Sequence, residues 1–255
     1  MRIDNDGKNE NPIYDKQGNF LGTDDKGLQG EAIIMRKEDF KQGMSHEEAL
    51  KKGTLFSDLN DYDRWNFMKK GWKHWQTLDQ RPDWDGFVTI EEGIEWAKSH
   101  PGALANPTPD NMLYVDASKL DFGNISVNDF INGVGKSSPI NLLNYGNLFM
   151  SLGNNRLRAT VYALGRVNMI LLDNDGHVSI VNDFNELSRR ATDYDWNTGG
   201  NRLRNFLIHA ERYRADLNDF HGFRVYYYGT GQLRTPLEIN LNTGFVPEFP
   251  FEPKF

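Results

Sequence analysis

The chain of 255 residues contains no cysteine, which excludes disulfides, thiol nucleophiles and cysteine-ligated zinc. No run of apolar residues reaches the length of a membrane span, so none is expected. The opening residues, MRIDNDGKNENPIYDKQGN, lack the apolar stretch of a signal peptide, and none is expected there. The phosphate-binding loop, the dinucleotide fingerprint, HExxH and G-x-S-x-G are all missing. The six histidines are scattered, none at metal-ligand spacing from another. The net charge of −7 argues against a broad basic surface, so nucleic acid is not an expected partner. Lysine is missing between Lys136 and Lys254, where eleven arginines occur instead. Arginine's planar fork suits phosphate and carboxylate. Structural ion pairs and an anion-handling C-terminal half would each produce this bias.

What is present begins with aromatic residues, at 13% enough to fill much of a core. In IYDKQGNFLGTDDKG, apolar residues alternate around Gln17-Gly18-Asn19, which predicts a hairpin; GEAIIM follows as a short strand. SHEEALKKG opens with Ser45 and Glu48 at capping-box spacing and stops at Gly53. Residues 58–78 carry Leu59, Tyr62, Trp65, Phe67, Met68, Trp72, Trp75 and Leu78 at mostly three- and four-residue spacing, which predicts a helix with these residues in the core. Asn106–Asn111 is proline-rich and separates an N-terminal region, 1–105, from a C-terminal domain, 112–255. MLYVDAS, RATVYALGRVNMILLD, HVSIVND and FRVYYYG read as strands, with DNDG as the turn between the middle two. NRLRNFLIHAERYRADL reads as an amphipathic helix with Leu203, Phe206, Ala210 and Tyr213 on its apolar face. The predicted fold class is α+β: a helical N-terminal half, then a curved antiparallel sheet packed by one amphipathic helix.

Two segments have residues suited to chemistry. RPDWDGFVTIEE is similar to an EF-hand loop, with Asp83, Asp85 and Glu92 at the third, fifth and twelfth ligand positions. Arg81 stands where the first carboxylate belongs, so Ca2+ is not expected to bind strongly. The competing reading makes Thr89 a helix N-cap, with Glu91 and Glu92 at the positive end of that helix. The second segment is ATDYDWNTGGNR, residues 191–202. Asp193 and Asp195 point the same way in an extended chain and could share Mg2+, or one could act as a base. Arg202 and Arg204 follow at a helix start, which favours an anion. His221 precedes FRVYYYG, where Arg224, Tyr226 and Tyr228 fall on one strand face and could line a polar groove. Carboxylates beside arginines suit phosphoester cleavage. A plain helix start with structural ion pairs has the same spacing.

A resemblance adds to this. NPIYDKQGNFLGTDDKGLQGEAIIM, FKQGMSHEEAL, RPDWDGFVTIEEGIEWAKSHPGALANPTPDN, DASKLDFGN, RATVYALGRVNM, ATDYDWNTGG and LNDFHGFRVYYYG together resemble the variable C-terminal regions of Bacteroidetes RHS-repeat polymorphic toxins. The resemblance implies an antibacterial effector, carried by an RHS protein, delivered for instance by type VI secretion, and neutralised by a cognate immunity protein. A partial resemblance to colicin M-like bacteriocins covers residues 192–202. That pattern is Asp-x-Tyr-Asp, five residues, then His-Arg. Tyr194, Asp195 and Arg202 match it, while Thr192 and Asn201 stand where an Asp and the His belong. It implies hydrolysis of a lipid-linked peptidoglycan precursor in the target periplasm, with Asp195 as base or metal ligand, Arg202 on phosphate and Tyr194 orienting; His209 or His221 could take the place of the missing histidine. The alternatives are a non-enzymatic module that targets a membrane or a protein, and a structural adaptor of the carrier.

Overall fold

The computed structural model describes residues 11–145, 154–182, 192–193, 210, 213–214 and 222–234. The fold is α+β, with few helices and several sheets.

The first sheet is built by local turns. β1 (Pro12–Tyr14) and β2 (Phe20–Thr23) form the predicted hairpin. Asp15 closes its turn by accepting from the Gln17 and Asn19 N–H groups at 2.9 and 2.8 Å. β3 (Ile33–Ile34) lies parallel to β1 on its other side, and β4 (Thr54–Leu55) completes the order β2-β1-β3-β4. Between β3 and β4, α1 (His46–Lys52) starts on Ser45, whose side chain accepts from the Glu48 N–H, and ends at Gly53, as predicted. The Glu48 carboxylate turns to Lys52 instead, so the reciprocal half of the capping box is not made there.

The predicted helix over 58–78 is two helices, α2 (Asp61–Met68) and α3 (Gly71–Gln76). A three-residue turn from the Lys70 N–H to the Phe67 carbonyl, 3.2 Å, closes the first. Its apolar residues divide unexpectedly. Phe67 is fully buried, but Tyr62, Trp65 and Met68 are 74%, 61% and 46% exposed. The expectation that they fill the core is therefore corrected. α4 (Ile90–Ser99) begins on the predicted Thr89, with a complete capping box: Thr89 Oγ accepts from the Glu92 N–H, and Glu92 accepts from the Thr89 N–H. Each such cap stabilises by about 1 kcal/mol.

The central sheet has the order β5-β10-β9, built from β5 (Leu113–Asp116), β10 (Arg224–Tyr228) and β9 (Thr192–Asp193). β10 runs parallel to β5, Tyr226 opposite Tyr114, and antiparallel to β9. The third sheet is antiparallel, order β11-β8-β7-β6, from β6 (Ser137–Asn141), β7 (Arg166–Leu171), β8 (His177–Ile180) and β11 (Gly231–Gln232). The β7–β8 hairpin turns at DNDG as predicted, where Asp173 accepts from the Asp175 and His177 N–H groups.

The first half of RATVYALGRVNMILLD is not a strand. Asn154 caps a short helix, α5 (Asn155–Arg158), by accepting from the Leu157 N–H at 3.0 Å. The chain then widens into a π-helical turn, Ala159–Leu164. Thr160 Oγ1 donates back to the Arg156 carbonyl at 2.8 Å and accepts from the Asp121 N–H at 3.0 Å. Such a hydroxyl bond to the preceding turn offers the backbone an alternative to a strand ladder, even in a β-branched stretch. Of the predicted helix over 201–217, Ala210, Tyr213 and Arg214 are described; all are helical and exposed. Tyr213 is 91% exposed, so the assignment of Ala210 and Tyr213 to a core-facing stripe is corrected.

The central sheet is buried on both faces, which explains why β10 after Arg224 is a run of valine and tyrosines. Phe223, Val225 and Tyr227 join β5 residues Leu113 and Val115 in one core, closed by α4 and the third sheet. Tyr226 and Tyr228 face a second core with Tyr114, Tyr14, Phe20 and Phe67. That core draws residues from both sides of the 106–111 connector. A third cluster, around Ile13, Ile33 and Met44, lies over the first sheet.

Candidate functional site

The acidic stretch meets the fold at the outer strand of the central sheet. In the β9–β10 ladder, Asp193 is paired with Arg224 and Thr192 with Val225. This register sets an acidic and a basic position side by side, at the point where the chain enters residues 194–200. Tyr194, Asp195, Arg202, Arg204 and His221 lie outside the described residues. Among the candidates, Arg224 is half-buried.

Tyr226 and Tyr228 share a face, as the strand period predicts, but that face is no polar groove. Both are buried, at 5% and 9% exposed. The Tyr226 ring lies 6.1 Å from that of Tyr114, and its hydroxyl occupies the space where a Cβ on Gly43 would fall. The Tyr228 hydroxyl sits the same way on Gly27. Both glycines have positive φ, 78° and 112°, so a side chain there is excluded by conformation as well as by space. The phenol of Tyr226, a residue expected from the sequence to bind substrate, packs against Gly43 and joins the 40–45 loop to β10.

The EF-hand-like loop is organised around the residue that breaks the motif. The side chain of Arg81 is buried and grips Asp83 with two parallel bonds, Nε to Oδ1 at 2.9 Å and Nη2 to Oδ2 at 3.0 Å. Nη1 and Nη2 also donate to the carbonyls of Asp110 (3.0 Å) and Met112 (2.6 Å). The guanidinium also lies over the Trp96 ring, 4.8 Å from its centroid. Asp83, 1% exposed, accepts in addition from the Tyr114 N–H at 2.7 Å. Burial works against the charge on Arg81, but the Asp83 carboxylate outweighs it and holds the guanidinium above its ordinary pKa. Asp85 accepts from the Phe87 N–H at 3.3 Å, and burial raises its carboxyl. Glu92 is occupied in the α4 cap. The three carboxylates assigned to a metal thus have three separate partners, and Arg81 supplies the positive charge beside Asp83. Among the described residues, no three His, Asp or Glu side chains are grouped to hold a metal ion.

Two histidine–carboxylate pairs were not evident from the sequence. His46 Nδ1 lies 2.8 Å from Asp24 Oδ2, and the His46 backbone N–H donates to Asp25 Oδ1 at 2.9 Å. Asp24 is fully buried, which raises its carboxyl despite the His46 hydrogen bond. His74 bridges two elements: Nδ1 is 2.9 Å from the Tyr14 hydroxyl, and Nε2 is 3.2 Å from Asp110 Oδ1. Tyr14 is buried and its hydroxyl is pushed far up by that burial, then by Asp110. Such a relay resembles an oriented acid–base pair, but the phenol is closed off from solvent, so it ties β1 to α3 and the connector. The partners lie 21 or more residues apart, beyond any local motif.

No protein-family model, curated protein or solved structure matches the chain.

Proposed function

We propose that the chain is an antibacterial effector domain that hydrolyses a phosphoester, with a lipid-linked peptidoglycan precursor in the target periplasm as its substrate. The observation that carries this reading is the register that pairs Asp193, in the acidic stretch, with Arg224 of the central sheet. Hydrolysis of a phosphoester needs a group that takes a proton from water and cations that stabilise the charge growing on phosphate. Asp195 takes the first role and Arg202 the second, with Arg224 and Arg204 binding the remaining phosphate oxygens and Tyr194 orienting the substrate. His221 is the candidate proton donor to the leaving oxygen. Asp193 and Asp195 offer an oxygen-only donor set that suits Mg2+, which when bound would neutralise phosphate charge. An RHS carrier delivers the domain in this reading, and a cognate immunity protein blocks it.

The test is purified protein on lipid-linked precursor, with magnesium and with chelator. Release of the pyrophosphorylated headgroup, reduced by about a hundredfold or more in Asp195→Ala, is the expected result. An inactive wild type, or an Asp195→Ala variant as active as wild type, contradicts the proposal.

A further inference from the structure

We propose that Asn182 is a positioning residue for the Asp193–Arg224 pair, a stop that fixes the register of β9 on β10; its chemical consequence rests on the hydrolase reading. Asn182 follows the last rung of the third sheet, where the Val181 N–H donates to the Asn168 carbonyl at 2.8 Å. Its side chain turns to the central sheet. Nδ2 donates to the Tyr227 carbonyl at 2.6 Å, and Oδ1 accepts from the Tyr227 N–H at 2.8 Å. Asn182 is 6% exposed. One buried side-chain amide thus gives β10 the donor and the acceptor that a neighbouring strand would give.

Alternate residues of a strand turn their backbone groups to the same side. Tyr227 therefore opens on the side of Val225, whose ladder partner is Thr192 of β9. Asn182 fills the next rung. β9 is two residues long, so few ladder bonds hold its register. A one-residue slip would turn its side chains to the opposite face, but a two-residue slip keeps every face and is not opposed by the side-chain pattern. In one direction, that slip sets Thr192 opposite Tyr227 and Asp193 opposite Tyr226, away from Arg224. The Asn182 amide already holds both backbone groups of Tyr227, which closes that register. An apolar side chain could fill the same space, but it would leave a buried donor and a buried acceptor on β10 without their partner.

The chain has no cysteine, so an introduced pair reports the register directly. Asp193→Cys with Arg224→Cys should form an intrachain disulfide under mild oxidation, because directly opposed residues on neighbouring strands stand within disulfide range. Adding Asn182→Leu, which keeps much of the volume and removes both hydrogen bonds, should slow that cross-link by about tenfold or more. On lipid-linked precursor, Asn182→Leu alone should lower kcat/KM by a similar factor. Asn182→Asp should recover toward wild type as pH falls, because a protonated carboxyl both donates and accepts where a carboxylate only accepts. If Asn182→Leu unfolds, amide exchange in the unaltered full chain decides: slow exchange at Tyr227, like that at Tyr226, is expected, and fast exchange at Tyr227 overturns the proposal. Cross-linking that is unchanged by Asn182→Leu overturns it whatever the activity. An inactive wild type whose cross-link still depends on Asn182 leaves the register stop standing and refutes the hydrolase reading alone.

Discussion

Helices α2 and α4 have similar lengths and comparable N-caps, yet α4 buries most of its apolar residues and α2 buries only Phe67. α4 turns Ile90, Ile94 and Ala97 into the main core and leaves Glu95 and Lys98 outside. α2 turns Arg64 inward and leaves Tyr62 and Trp65 outside. Periodicity reports that a helix has two unlike faces. It does not report which face the fold buries, because a guanidinium can satisfy loop carbonyls from inside while aromatic rings remain exposed.

The largest expected effect tests what anchors the loop before α4. Arg81→Ala leaves Asp83 buried without its counter-charge and should destabilise by about 3–5 kcal/mol in urea unfolding. Ile94→Ala comes next, at about 2–5 kcal/mol, since Ile94 is 1% exposed in the main core. The caps of the two helices should cost alike: Thr89→Ala and Asn60→Ala about 1 kcal/mol each, because both side chains accept from the first helical turn. Trp65→Ala should fall within about 0.5 kcal/mol of wild type. A loss comparable with that of Ile94→Ala would remove the distinction between the helices.

A smaller effect concerns acid. Burial raises the Asp24 carboxyl above its ordinary value, so the folded state holds this proton more tightly than the unfolded chain. The associated stability is present below the unfolded pKa and is lost as pH rises through the folded one. Asp24→Asn should flatten that slope in urea midpoints measured across the acidic range. An identical slope in both proteins would show that Asp24 does not set it.

Local chemistry was legible in the sequence. The turn at Asp15–Asn19, the DNDG hairpin and the Thr89–Glu92 cap each depend on residues at most four apart. Pairing across long separations was not. The parallel alignments of β1 with β3 and of β10 with β5 join segments whose own patterns say nothing of their neighbours. The alternation of Arg224, Tyr226 and Tyr228 was correct as a period but not as a polar face, because a second core lies behind it. Arg81 was recognised as the flaw in an EF-hand; that it also binds the 110–112 carbonyls depends on tertiary contacts. For the acidic stretch, the sequence supplied the residues, and the fold adds the strand register beside Arg224.

The central claim is a phosphoester-cleaving toxin that acts outside the cytoplasm, and expression in two compartments of a test bacterium addresses it most directly. The account predicts growth arrest and lysis when the wild-type chain is sent to the periplasm, none when it stays in the cytoplasm, and none for periplasmic Asp195→Ala expressed at equal level. Toxicity from the cytoplasm alone, or undiminished periplasmic killing by Asp195→Ala, would contradict it.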